Sequence, residues 1–230
     1  MSALYSDGDY YANNPTWHIE DSSWKAKNIA ALIAKNGLAP RTVVEIGCGA
    51  GQVLNGLSTA VPGIESLQGY DISPQAIELC QSIQNPRLAF HNKDFLAEDA
   101  VYFDAVLAID VFEHVEDYFS FLRSLRTKGK YKIFHIPLEI IALSALRGLE
   151  ARNRKSVGHI HLFSRETALM ALEETGYKVI DAVYTSGALD LPQKSFKQAL
   201  AFLPRKLLAA IHMGLAVRLL GGWSLLVLAE

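Results

Sequence analysis

Cysteine is scarce in this chain. Cys48 and Cys80 are the only two in 230 residues, and neither has a neighbour at metal-finger spacing. That excludes a disulfide framework and a cysteine-bound zinc, and it makes a reducing cytoplasm the simplest compartment to expect. An excess of one charge is also lacking. With 22 Lys and Arg against 24 Asp and Glu, the formal charge is -2. No global positive field therefore draws the chain onto nucleic acid, although Arg147, Arg152, Arg154 and Lys155 form a local basic turn. The opening stretch, MSALYSDGDYYANN, has neither the basic start nor the apolar core of a signal peptide. No uninterrupted apolar run is long enough to span a bilayer, and the nearest is broken by Arg205, Lys206, His212 and Arg218. Internal repeats and low-complexity tracts are missing too.

What is plentiful is apolar surface. Half the residues are hydrophobic and one in five is charged, which suits a well-packed core in one domain over residues 1–230. After the first forty residues, short β-branched runs alternate with helical patterns, which predicts a three-layer α/β fold around a mostly parallel sheet. Strands are expected at Thr42–Ile46, Ser66–Tyr70, Arg87–His91, Phe103–Ile109, Tyr131–Ile136, Lys178–Tyr184 and Trp223–Ala229. Helices are expected at Asp21–Lys35 and Gln52–Ala60, after the Ser73-Pro74 start signal, around Tyr118–Leu125, and from Ser164 to a stop at Gly176. Residues 1–38 would then form a helical cover. Two stretches stand outside the alternation: an apolar helix over Leu138–Leu149 within a 138–156 insertion, and a helix over Phe196–Leu220 within a 193–220 insertion.

The strongest chemical signal is Glu45-Ile46-Gly47-Cys48-Gly49-Ala50-Gly51, where the first strand turns into a helix. Glycines at alternate positions let the backbone turn sharply and bring a ligand against bare N–H groups. A dinucleotide fingerprint would place its third glycine at position 52, which here is Gln52. Asp71 ends the second strand, where a carboxylate can accept both ribose hydroxyls of a nucleoside. Asp94-Phe95 follows the third strand, so acids at successive strand ends converge on one crevice.

With the segment Phe103-Asp104 to Val115, these residues resemble the motifs of the class I, Rossmann-like S-adenosylmethionine-dependent methyltransferases. Residues Gly158–Ser164 are similar to a stretch of the small-molecule and quinone-type members. The resemblance implies about seven strands, the last antiparallel, and S-adenosylmethionine as cofactor with S-adenosylhomocysteine as product. It also implies a donor site formed by Glu45, Gly47, Cys48, Gly49, Gly51, Asp71, Ile72, Asp94, Phe95, Ile109 and Asp110, with Asp94 at the adenine amino group and Phe95 on the base.

Methyl transfer needs an O, N or C nucleophile held in line with the sulfonium, and a hydroxyl acceptor needs a proton taken from it. His114 and His159 are the candidate bases, since imidazole titrates near neutrality. Asp110, Glu113, His114 and His159 also resemble the magnesium site of small-RNA 3′-terminal and ubiquinone-pathway O-methyltransferases. Asp110 stands where that pattern has glutamate and shortens the reach, so the favoured expectation is no metal, with Glu113 a helix-start carboxylate and His161 structural. Tyr5, Tyr10, Tyr11 and Trp17 are candidates for an aromatic cover.

Two other classes remain open at this point: an NAD-type oxidoreductase, which Asp71 would serve equally, and a non-catalytic binder of the same nucleoside. A small, partly apolar acceptor is expected, with no nucleic acid and no transmembrane segment. Peripheral membrane contact or a subunit interface are alternatives to pocket wall for the 193–220 insertion, and neither the acceptor nor the oligomeric state is readable.

Overall fold

The computed structural model describes residues 17, 19–99, 101–148, 158–192 and 196–230, the side chains of 196–198 excepted. Strands β1 (Thr42–Ile46), β2 (Ser66–Asp71), β3 (Leu88–Asn92), β4 (Phe103–Ile109), β5 (Gly129–Pro137), β6 (Val179–Thr185) and β7 (Ser224–Ala229) make one sheet. Their order is β3-β2-β1-β4-β5-β7-β6. All run parallel except β7, which is antiparallel to both β5 and β6. The mostly parallel sheet is what the alternation predicts, and the Rossmann-like order with an antiparallel last strand is what the resemblance implies. The chain leaves β1 toward β2 on one side and returns to β4 on the other, so a crevice opens between the ends of β1 and β4.

The helices are α1 (Ile19–Lys35), α2 (Gln52–Ala60), α3 (Pro74–Cys80), α4 (Tyr118–Arg126), α5 (Ala142–Arg147), α6 (Arg165–Glu174), α7 (Gly187–Asp190) and α8 (Phe196–Leu220). The period-two alternation of strand side chains sends them to two separate cores. Val106 and Ala108 of β4 join Leu122 and Leu125 of α4 and Leu172 of α6 on one face. Ala105, Leu107 and Ile109 join Ile29 of α1 and Leu54 and Leu57 of α2 on the other. Strand β7 splits the same way, Leu225 and Val227 to the first core and Leu226 and Leu228 to the second.

Asp104 fixes the register at the start of the central pair. Its carboxylate accepts from the backbone N–H of Arg41 and Thr42 at 2.8 and 2.9 Å, and its own N–H donates to Thr42 Oγ1 at 2.9 Å. Backbone donors that precede the ladder are thereby satisfied, and these bonds to the charged form hold the Asp104 carboxyl below the usual range. The expected start signals also act as anticipated. Ser73 accepts from Ala76 N–H, and Ser164 and Thr167 form a reciprocal capping box at α6.

Three expectations need correction. Among the described residues, the helix expected over Leu138–Leu149 is found only at Ala142–Arg147, because Leu138, Glu139 and Ile140 give their N–H groups to Trp223 and Phe163 carbonyls and stay extended. The helical turn expected to align Asp110 with Glu113 and His114 is interrupted. Asp110 has φ 55°, a left-handed conformation that is rare outside glycine, and only the 3-10 turn Phe112–His114 follows it. Finally, α8 is neither core nor pocket wall over most of its length: Leu200, Leu203, Leu207 and Ile211 are all exposed. The 149–157 and 193–195 parts of the two insertions and Tyr5, Tyr10 and Tyr11 lie outside the described residues.

Helix α1 reaches the sheet by lying directly on α2, where a Cβ on Gly56 would sit 2.7 Å from the Ala26 Cβ. Gly56→Ala is therefore expected to push the two helices apart. Overpacking outweighs the ~1 kcal/mol gain in helix propensity. A net loss of about 1–2 kcal/mol, or a fall of about 3–6 °C in Tm, is the outcome to check by thermal unfolding.

Candidate active site

A cavity of about 390 Å³ occupies the crevice at the ends of β1, β2 and β4. The end of β1 and the turn after it contribute Glu45, Gly47, Cys48 and Gly49. Asp71 and Ile72 come from the end of β2 and the position after it, Asp94 and Phe95 from the turn after β3, and Ile109 and Asp110 from the end of β4 and the position after it. His114 and His159 also line the space, and so does Trp17. Topology thus gathers residues spread over more than a hundred positions. Gly51 is the exception. It starts α2 at φ 73°, and a Cβ there would strike Phe90 at 2.5 Å, so its smallness serves packing behind the loop.

The glycine turn is also not the open cradle of N–H groups that its sequence suggests. Gly47 and Cys48 donate to the Tyr70 carbonyl at 2.8 and 3.1 Å, and Gly51 donates to Cys48. Gly49, at φ 52°, donates to Asp71 Oδ2 at 2.9 Å. The donors that no side chain caps are those of the first turn of α2, where Gln52 and Val53 line the cavity. A helix start of this kind favours a negatively charged group.

Asp71 serves two ends at once. While Oδ2 holds Gly49, Oδ1 accepts from Ser73 N–H at 2.9 Å, and burial pushes its carboxyl up against the pull of these bonds. Glu45 lies deeper; burial drives its carboxyl well above the usual range, with nearby Lys25 opposing. Asp94 caps the turn Phe95–Ala97 by accepting from Leu96 N–H at 2.9 Å. Phe95 is almost wholly buried and packs on Tyr70 and Phe103.

Sequence reasoning missed an ion cluster that closes one side of the cavity. Asp110 receives Lys25 Nζ at 2.8 Å and His135 Nδ1 at 2.6 Å, and Lys25 also meets Asp21 at 3.2 Å. Burial alone would raise the Asp110 carboxyl, but His135 and Lys25 hold it far below the usual range. Burial likewise works against the Lys25 charge, and Asp110 and Asp21 more than restore it. His135 Nε2 meets Thr185 Oγ1 at 2.9 Å, and Trp24 stands edge-on to the ring at 5.9 Å. The available signal was a histidine in the otherwise apolar run Ile133–Ile136; Lys25 had none, since a lysine on an amphipathic helix reads as solvated.

A second group surrounds the two histidines. His114 Nδ1 donates to the Gly158 carbonyl at 3.1 Å, and His159 Nδ1 meets Glu139 Oε2 at 2.6 Å. Their rings stand edge to face with centroids 4.8 Å apart. Burial, aided by His159, lowers the His114 pKa to about 4. Glu113 is fully buried rather than a solvated helix-start acid, and neither carboxylate oxygen has a hydrogen-bond partner among the described residues. Burial drives its carboxyl well above the usual range, and Asp110 adds to the effect. Ligand atoms of Glu113, His114 and His159 lie within 4.8 Å of one another. Asp110 is absent from this group, being committed to Lys25 and His135. His161 instead bonds the Val115 and Glu116 carbonyls, as a structural histidine would.

Replacing Asp110 by Asn breaks a largely buried ion cluster, and a loss of about 2 kcal/mol, or about 6 °C in Tm, is expected at pH 7. An acid whose folded pKa is depressed stabilises above its unfolded value and loses that contribution as pH falls toward the folded one. The gap between wild type and Asp110→Asn should therefore narrow below about pH 4, as thermal melts across pH will report.

Solved structures of similar fold include the magnesium protoporphyrin IX methyltransferase ChlM of Synechocystis PCC 6803 with bound SAH (S-adenosylhomocysteine). It is 16% identical, with TM-score 0.58 over 90% of this chain and 81% of that one. The plantazolicin methyltransferase, in complex with a monoazolic desmethyl analogue and SAH, is 19% identical with TM-score 0.60 over 99% and 91%. The N-methyltransferase NodS of Bradyrhizobium japonicum WM9 with SAH is 16% identical with TM-score 0.54 over 88% and 83%. No curated protein matches the chain in sequence. A family model described as a methyltransferase domain matches residues 17–182, and with the glycine turn, Asp71 and the β1–β4 crevice all inside that span, the chain belongs to this methyltransferase family.

Proposed function

We propose that the chain is an S-adenosylmethionine-dependent methyltransferase whose acceptor is a small, partly apolar molecule with an O, N or C nucleophile. The observation that carries the proposal is convergence. An uncapped helix start, the buried carboxylate of Asp71 and the acid Asp94 meet in one cavity, a donor set that suits a nucleoside joined to an amino acid. The α2 start would take the donor's carboxylate, Asp71 and Ile72 its ribose, and Asp94 with Phe95 its adenine. Structural relatives of low identity that carry SAH support this reading.

When bound, the donor supplies an electrophilic methyl on a sulfonium. Positive charge disappears as the methyl moves, so most of the catalytic work left to the protein is alignment in a dry site. Trp17 and Trp24 supply aromatic walls suited to a cationic donor. For a hydroxyl acceptor, His159 is the better placed base. Its Nδ1–H is spent on Glu139, which orients the ring and leaves Nε2 to take the proton. The depressed His114 pKa keeps that ring neutral, so it does not add a competing positive charge.

A second reading rests on Glu113. A buried carboxylate without a hydrogen-bond partner among the described residues, beside two imidazoles whose Nδ1 atoms face a carboxylate and a carbonyl, fits a divalent metal. Glu113, His114 and His159 would hold it, and its charge would lower the pKa of an acceptor hydroxyl.

Calorimetry on cofactor-free protein should give heat for S-adenosylhomocysteine and none for NAD, and Asp71→Ala should weaken that binding by more than about tenfold. Heat with NAD alone would assign the site to a dehydrogenase instead. His159→Ala should lower kcat about a hundredfold with donor affinity unchanged. Full turnover in chelator selects the metal-free route, whereas loss that magnesium or manganese restores selects the second.

A further inference from the structure

No described residue of α8 lines the cavity, and the geometry of this helix is that of a hairpin. Arg205 donates from Nε to the Gly221 carbonyl at 2.9 Å. In a straight helix these residues would stand about 24 Å apart along the axis, beyond the reach of an arginine side chain. The bend is at His212, whose φ -155° and ψ 94° leave the helical region. Its Nδ1 accepts from Leu215 N–H at 3.2 Å and so caps a second arm, 213–220. Ala216 and Val217 bury that arm in the core, and Arg218 ties it to Glu166 of α6 at 2.6 Å.

The first arm, 196–211, is held much less. Leu200, Leu203, Leu207 and Ile211 follow helical spacing and form one stripe, 69%, 59%, 57% and 81% exposed. Leu146 of α5, 85% exposed, extends the apolar surface, and α5 reaches α8 through Ile141 at Gly221. A soluble surface seldom leaves so much contiguous aliphatic area in water. Charge accompanies it: no Asp or Glu occurs between Asp190 and Glu230, whereas Lys197, Arg205 and Lys206 all fall on the first arm and Arg218, paired with Glu166, on the second. In a chain of formal charge -2 this is a strong local asymmetry, and exposed Lys206 stands directly beside Leu207 of the stripe.

We propose that the α8 hairpin docks this protein onto an anionic lipid bilayer, its leucine stripe seated at the headgroup–acyl boundary and its basic residues on the lipid charge. Taken as one straight helix, Ala199–Leu220 is long and apolar enough to cross a membrane. The hairpin is not: its arms span about 24 and 12 Å against about 30 Å of hydrocarbon. Both ends also return to the same sheet, with Ser186 donating to the Gly222 carbonyl at 2.8 Å.

Flotation of the full chain with extruded vesicles tests this, and donor binding is measured in parallel because docking does not depend on methyl transfer. Wild type should float with mixed phosphatidylcholine–phosphatidylglycerol vesicles, far less with phosphatidylcholine alone, and less as salt rises. Leu203→Glu with Ile211→Glu should abolish flotation while Tm and S-adenosylhomocysteine binding stay at wild-type values. Lys206→Glu should weaken binding about tenfold. Wild type remaining at the bottom of the gradient, or the double variant floating equally well, would overturn the proposal. So would a dimer in light scattering that Ile211→Glu dissociates without any flotation, which would give the stripe to a second copy. Resistance to alkaline extraction from cell membranes would overturn it in favour of a spanning helix.

Discussion

Asp110 stands at the end of the central strand β4 in a left-handed backbone conformation, between Lys25 from α1 and His135 from β5. Three elements of the protein, one helix and two strands, meet in that one carboxylate. Without it, Lys25 would be a largely buried cation with only Asp21 to answer it, and the cover helix would lose its polar tie to β4, that of Lys35 to Asp181 of β6 remaining. The unusual φ has a visible use: it turns the chain out of β4 so that the carboxylate faces the cavity side of the sheet while Phe112 returns to the core. Such a strained position persists because the surrounding contacts over-determine it.

The same economy of polar groups runs through the rest of the crevice. Asp71 braces the glycine turn by accepting from Gly49 and also faces the cavity, so its orientation is set before any ligand arrives. Asp104 does comparable work at the opposite end of β4, pinning β1 to β4 so that their far ends stay in register. Glu139 orients His159, and the Gly158 carbonyl orients His114. Each of these side chains is positioned by a bond already made within the fold, which lowers the cost of ordering a site when substrate binds.

Family membership, fold and cavity belong to one consistent picture, whereas the two insertions follow different physical rules. The 138–163 connection is pinned by the Leu138–Phe163 bridge and brings His159 to the cavity, with Glu139 holding its ring from behind. The α8 hairpin folds on itself and leaves its apolar stripe outward. Composition alone makes the two look alike, since both are leucine-rich and basic.

Much of the architecture was legible from residue patterns. Local rules sufficed wherever a signal was short-range: β-branched runs for the strands, Ser73-Pro74 and Ser164 for helix starts, and the glycine turn with Asp71 and Asp94 for the position of the crevice. Tertiary structure alone decided which polar groups pair. Lys25 finds Asp110 across 85 positions, and His159 finds Glu139 through a segment that looks like plain helix. Likewise, the bare N–H groups foreseen in the glycine turn proved to be spent on Tyr70 and Asp71, and Glu113 proved to be buried. The reason is that helix and strand periodicity is written along the chain, whereas burial and ion pairing depend on which surfaces the packed layers bring together.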